Sequence, residues 1–146
     1  MIVTETKIRV RYKETDQMGV VHHSNYYPWF EAARTEYMRK AGMDYRQMEE
    51  NGVMLPVLET HCSYIRGAKF DDLLTVRTWI SRFAGIRLTM EYEVIRDSDG
   101  LRLAKGSTVH AFTDNSLKPL NIKKKHPELY KRFIDCYTAN ENTVKQ

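Results

Sequence analysis

Residues 24–42 read SNYYPWFEAARTEYMRKAG. Tyr26, Trp29, Phe30, Ala33, Tyr37, Met38 and Ala41 recur at spacings of three and four, which places them along one side of a helix. Glu31, Arg34, Thr35, Glu36, Arg39 and Lys40 fill most of the remaining positions. Ser24 offers an N-cap, Pro28 falls in the first turn, where a missing N–H costs nothing, and Gly42 stands at the stop position. A long helix with one aromatic stripe has to lie on an apolar surface, so something else in the chain must supply that surface.

The flanking sequence supplies it as strands. Residues 4–12 alternate, with Ile8, Val10 and Tyr12 expected on the buried face and Lys7, Arg9 and Arg11 outside. After a short helical stretch at 44–51, which stops at Asn51-Gly52, residues 53–66, 72–82, 86–96 and 101–113 read as strands. The third is the clearest: Ile86, Leu88, Met90, Tyr92 and Val94 alternate with Arg87, Thr89, Glu91 and Glu93, and Asp99-Gly100 marks a hairpin. The expected fold is α+β, a four-strand antiparallel meander plus the first strand curled around one central helix. Pro127 opens a final helix with Leu129, Tyr130, Phe133 and Ile134 on its apolar face. One domain over 1–137 is expected, with a polar tail at 138–146. The sheet edges need covering or pairing, and a second copy is the simplest partner.

Composition narrows the function classes. The chain has 146 residues, 42% hydrophobic and 29% charged, which excludes a collagen and a disordered chain. No apolar run approaches the ~20 residues that span a bilayer, so no membrane span is expected. The first ten residues carry Glu5, Lys7 and Arg9 and do not read as a signal peptide, which makes the cytoplasm the default compartment. Two cysteines, Cys62 and Cys136, are too few for a disulfide framework, and Cys62 reads as a small buried residue. The net charge is +4, and its densest cluster, Lys123 to Lys125, reads as solvated surface, so no nucleic-acid partner is expected. His22, His23, His61, His110 and His126 do not fall at metal-ligand spacings, and adjacent His22 and His23 should point apart in extended chain, so no metal is expected. Nor is there a serine-nucleophile elbow or a phosphate-binding glycine loop.

The chemically informative stretch is Tyr12 to Tyr26, YKETDQMGVVHHSNY. It leaves a strand, passes a glycine and enters the long helix. Asp16 sits at the strand's end beside Met18, Val20 and Val21, and the loop should deliver the N–H groups of residues 22–25 at a helix N-terminus. Such donors can polarise a carbonyl oxygen, and with a carboxylate they form a minimal kit for hydrolysing an activated acyl group. The alternative is an aspartate that merely shapes a turn.

The stretch resembles the signature of hotdog-fold thioesterases of the 4-hydroxybenzoyl-CoA thioesterase type, closest to the Tol-Pal-associated bacterial acyl-CoA thioesterase branch. The resemblance is carried by Tyr12, Thr15, Asp16, Gly19, Val20, Val21, His23 and Tyr26, followed by Trp29, Phe30, Glu31, Ala33 and Arg34. It implies a hotdog fold and hydrolysis of acyl-CoA, with an acyl carrier protein as the alternative carrier and a non-catalytic acyl-binding domain as the alternative class. Asp16 would be the catalytic carboxylate, as nucleophile or general base. His23 would position water or substrate, with its backbone N–H as oxyanion donor. Gly19 would let the loop approach the thioester, and Tyr26 and Trp29 would line the pocket. Arg82, Arg87 and Lys118 are candidates for the phosphates of coenzyme A. His22 stands where relatives often carry Tyr or Phe. Glu14, in place of a common Asp, is expected to lie away from the reacting centre. Glu31 and Arg34, three residues apart, are expected to form an ion pair. The resemblance also implies a homodimer or a tetramer of paired dimers with active sites at the interface. No cofactor is implied.

Overall fold

In the computed structural model, which describes residues 2–144 and side chains for 2–138, the stripe of the long helix is fully covered. The elements are β1 (Thr4–Arg9), α1 (Tyr26–Lys40), α2 (Tyr45–Glu50), β2 (Val57–Tyr64), β3 (Leu73–Phe83), β4 (Arg87–Arg96), β5 (Arg102–Ala111), α3 (Ile122–Lys125) and α4 (Pro127–Val144). Tyr26, Trp29, Phe30, Ala33, Tyr37 and Met38 of α1 are all buried. They meet Leu74, Val76, Ile80, Leu88, Met90, Tyr92 and Val94 of the sheet in one hydrophobic cluster.

The five strands form one antiparallel sheet in the order β1-β3-β4-β5-β2. This corrects the expected four-strand meander: only β3, β4 and β5 follow one another. β2 pairs with β5, and the segment 65–72 carries the chain from that edge to β3. The correction has a physical basis in β2 itself, which is exposed along nearly its whole length and has no strong alternation to specify a neighbour.

Two further expectations are revised. Tyr12 does not extend the buried face of β1, because the chain leaves the strand at Arg9 and turns into a 3-10 segment at Tyr12–Glu14, which leaves Tyr12 77% exposed. The helix N-cap is not Ser24. A 3-10 turn at His23–Asn25 precedes α1, and it is His22 whose side chain accepts from the Ser24 N–H. At the other end Gly42 has φ +75° and stops α1 as expected. α4 runs to Val144, and the side chains of 139–146 in the expected polar tail lie outside the described residues.

Candidate active site

The loop between β1 and α1 is held by a series of backbone bonds. The Val10 N–H donates to Asp72 O (3.0 Å), which moors the end of β1 beside the start of β3. The Asp16 N–H donates to Val20 O (2.9 Å), and the Gly19 N–H to Asp16 O (3.0 Å). Gly19 has φ +80°, a conformation a side chain would strain. The half-buried Asp16 carboxylate accepts from the Met18 N–H at 2.9 Å. It thus shapes a turn and keeps an oxygen for other partners.

The segment after β2 seats this loop from the other side. The Val21 N–H donates to Ala68 O (2.8 Å). Gly67 faces Val20 so closely that a Cβ there would come within 2.6 Å of Val20 Cγ1.

The helix entry resolves the oxyanion expectation residue by residue. The His22 N–H donates to Glu14 O (2.9 Å), the Asn25 N–H to His22 O (3.0 Å), the Ser24 N–H to His22 Nδ1 (3.3 Å) and the Tyr26 N–H to His23 O. Of the four N–H groups from 22 to 25, that of His23 alone has no acceptor among the described residues. The expected row of free donors is therefore one donor, because the 3-10 turn consumes the others. The rings of His22 and His23 lie 4.1 Å apart rather than pointing away from each other, since the turn begins between them.

Tyr26 and Trp29 reach the site from α1. Both are buried, with rings 4.9 Å apart. Burial pushes the Tyr26 hydroxyl up to about 12, so it stays protonated and able to donate. Tyr64 of β2, which the sequence reading missed, stands edge-on to both Tyr26 (5.2 Å) and His23 (6.2 Å). No local signal marks it, because it arrives from a distant strand. Cys62, two residues earlier, is half-buried rather than buried.

Glu14, passed over in the sequence as a mild replacement of Asp, is closely engaged in the structure. It is 3% exposed, with one oxygen accepting from the Arg11 N–H (2.7 Å) and the other from Trp29 Nε1 (3.0 Å). Burial alone would raise its pKa, but donors from Arg11 and Trp29 outweigh that and hold the carboxyl below its ordinary range. The expected Glu31–Arg34 ion pair does not form among the described residues. Arg34 turns inward to the hydroxyls of Tyr45 (3.1 Å) and Tyr92 (3.0 Å), and Glu31 stays exposed. Tyr92 continues to Thr108 Oγ1 (2.7 Å) and Thr108 to His110 Nε2 (2.8 Å), a buried polar chain beneath α1.

A carboxylate, one free N–H at a helix entry and an aromatic wall now stand at one end of the sheet. The sequence signature of the Thioesterase-like superfamily matches residues 10–133. This chain belongs to the Thioesterase-like superfamily. It is 34% identical to YneP of Bacillus subtilis over 146 residues, covering 99% of this chain and 100% of that protein. It is 35% identical to the acyl-CoA thioesterase YbgC of Haemophilus influenzae over 119 residues, covering 80% and 86%. The crystal structure of DHNA-CoA thioesterase from Staphylococcus aureus superposes with a TM-score of 0.92 at 30% identity, covering 98% of this chain and 96% of that one. The hotdog fold is thereby established.

In this thioesterase-like chain Arg82, Arg87 and Lys118 do not join Asp16. Arg82 is the penultimate residue of β3 and Arg87 starts β4, and both line a depression of about 360 Å³ with Glu59, Ile86 and Val109. Lys118 lies in the turn after β5, which is moored to that end by the Phe112 N–H on Ile86 O (3.1 Å). From Leu73, beside the Asp16 loop, to Arg82 is most of β3, roughly 30 Å at ~3.3 Å per residue. A second groove, of about 340 Å³ with Trp79, Glu91, Glu93 and Lys105 along it, lies on the outer face of the sheet. Among the described residues no cluster could hold a metal ion, and no helix is long and apolar enough to cross a membrane.

Proposed function

We propose that this protein hydrolyses the thioester of acyl-CoA to a carboxylic acid and free CoA, acting in the cytoplasm as a homodimer or a pair of dimers. What carries the reading is that one short loop holds both the half-buried Asp16 carboxylate and, at the entry to α1, the unengaged His23 N–H. The His23 N–H donates to the thioester carbonyl oxygen as negative charge develops there. Asp16 attacks the carbonyl carbon directly or takes a proton from the attacking water, and CoA leaves as the thiolate. In the direct route water then hydrolyses the acyl-aspartyl anhydride. The acyl group lies against Tyr26 and Tyr64. Similarity over the full chain to thioesterases of Bacillus and Staphylococcus supports the reaction class.

The dimer follows from β2. It is an eight-residue edge strand, and Val57, Leu58, Tyr64 and the adjoining Ile65 are each 46–48% exposed, an apolar edge that invites a second strand. Its Val57 end lies with His110, near the Arg87 end of the sheet, and its Tyr64 end lies with Ala104, near His23. Antiparallel pairing of two β2 strands about a two-fold axis sets one copy's Val57 end against the other's Tyr64 end. Arg82 and Arg87 of one protomer then approach Asp16 and His23 of its partner. In this arrangement they bind the phosphates of a CoA whose thioester lies in the other protomer's site, which resolves their ~30 Å separation from Asp16 within one chain.

Release of free thiol from a panel of acyl-CoAs and acyl-carrier proteins tests the reading. Turnover of acyl-CoA is expected. No thiol release from any acyl-CoA, by folded protein, would overturn it, and release from the carrier protein alone would move the substrate to that class.

A further inference from the structure

We propose that Glu14 is a positioning residue for the reaction, clamping both ends of the Asp16 loop to α1. This rests on the reading of Asp16 given above. Glu14 is the point at which three parts of the chain meet. Its side chain accepts from Trp29 Nε1 of α1 (3.0 Å) and from the Arg11 N–H at the end of β1 (2.7 Å). Its own backbone carbonyl accepts from the His22 N–H (2.9 Å) and from Asn25 Nδ2 (2.9 Å) at the far end of the loop. One residue thus closes the loop 15–22 on itself and ties it to the helix whose entry carries the His23 N–H.

The chemistry of the clamp requires a carboxylate. The Arg11 N–H and the Trp29 N–H are both donors, and they meet different oxygens of Glu14. A carboxylate offers acceptors on both sides, whereas an amide turns one NH2 toward a donor and leaves a buried N–H unpaired. The Arg11 side chain adds a cation beside the pair, with Nε 3.4 Å from Oε1. Buried and bonded on every side, Glu14 touches no place where substrate would sit, and it acts through the loop it holds. A displacement of about 1 Å in a reacting group can cost ~10²-fold in rate, so a loosened clamp should appear in turnover rather than in binding.

The test compares Glu14→Gln, Asp16→Asn and the double variant for kcat and KM, with amide hydrogen exchange on the same samples. Glu14→Gln is expected to lower kcat ~10–100-fold with KM within about twofold. Its Asp16 and His22 amides should exchange faster while those of β3, β4 and β5 are unchanged. In the Asp16→Asn background, Glu14→Gln should cost less than about threefold more, because a carboxylate that is absent cannot be misplaced. A Glu14→Gln enzyme with kcat within twofold of the parent overturns the proposal. So does a full further loss on top of Asp16→Asn, which marks an independent structural effect. Near-normal turnover by Asp16→Asn itself removes the reading beneath it, an outcome distinct from either. Should Glu14→Gln fail to fold, Trp29→Phe removes the indole N–H from the clamp, together with some buried ring volume, and leaves the Glu14 carboxylate in place. It is expected to lower kcat in the same way, and unchanged turnover and unchanged loop exchange in that variant would overturn the proposal equally.

Discussion

Phe30 of α1 lies flat on Tyr92 of β4, with ring centroids 4.4 Å apart and planes 12° from parallel. That approach is open because Gly106 stands opposite Tyr92 on β5. A Cβ at Gly106 would come within 2.5 Å of Phe30 Cε2 and 2.7 Å of the His61 backbone oxygen. The ring could shift, but the strand backbone could not without disturbing the β2–β5 ladder. Gly106→Ala should therefore destabilise the fold by about 1–3 kcal/mol, read as a lowered midpoint in chemical denaturation. An unchanged midpoint would mean that α1 has room to lift from the sheet.

Asp16→Asn keeps the shape of the side chain and its acceptor for the Met18 N–H, but loses basicity and nucleophilicity. Turnover of acyl-CoA should fall ~10²–10⁴-fold in kcat with KM little changed, and circular dichroism should show an intact fold. His23→Ala should be milder, since the proposed oxyanion donor is its backbone N–H. If the two variants lose activity in the reverse order, the imidazole and not the carboxylate leads the chemistry.

Charge reversal at both Arg82 and Arg87 should raise KM for acyl-CoA by about tenfold or more, with kcat retained, if those side chains hold the nucleotide phosphates. KM of the parent enzyme should also rise with ionic strength, while hydrolysis of a short thioester without the nucleotide should not respond. Equal salt sensitivity for both substrates would remove the phosphate contacts.

Light scattering at micromolar concentration should give at least twice the 17.2 kDa chain mass. Leu58→Lys, on the exposed edge strand, should weaken the association, and acyl-CoA activity should fall with it as the partner's arginines are lost. A fully active 17.2 kDa species would refute the shared site.

His110 sets an acid limit. Burial, with the positive charge of Arg34 nearby, lowers its pKa from 6.5 to about 4, while its ring is bound between Leu55 O and Thr108. In the unfolded chain the imidazole takes up a proton near 6.5, and in the folded chain it does not until about 4. The unfolded state binds more protons between those values, so stability is full above 6.5 and falls as pH drops toward 4, by up to about 3 kcal/mol. Glu14 acts in the same direction at lower pH, since its depressed pKa stabilises the fold until that carboxylate is protonated. His110→Gln should flatten the dependence of the denaturation midpoint between pH 6.5 and 4. An equally steep dependence in that variant would place the acid sensitivity elsewhere.

The sequence by itself determined the helix, the strands and the position of the glycine loop. Each rests on local signals: the three-and-four spacing from Tyr26 to Ala41, the alternation from Ile86 to Val94, the left-handed glycines at 19, 42 and 100. Asp16 and His23 were singled out by the motif offsets of the thioesterase resemblance, which are also short-range. Tertiary structure alone decided what joins them. β2 lies beside β5 and brings Tyr64 to His23. Arg34 prefers two distant hydroxyls to Glu31 one turn away. Glu14 is buried against an indole fifteen residues on. Those choices depend on which polar groups lose water when sheet and helix close, and a buried donor or acceptor must then take whatever partner the packing provides. No spacing along the chain encodes that, and for this reason Glu14 reads as a bystander in the sequence and stands where loop and helix meet in the fold.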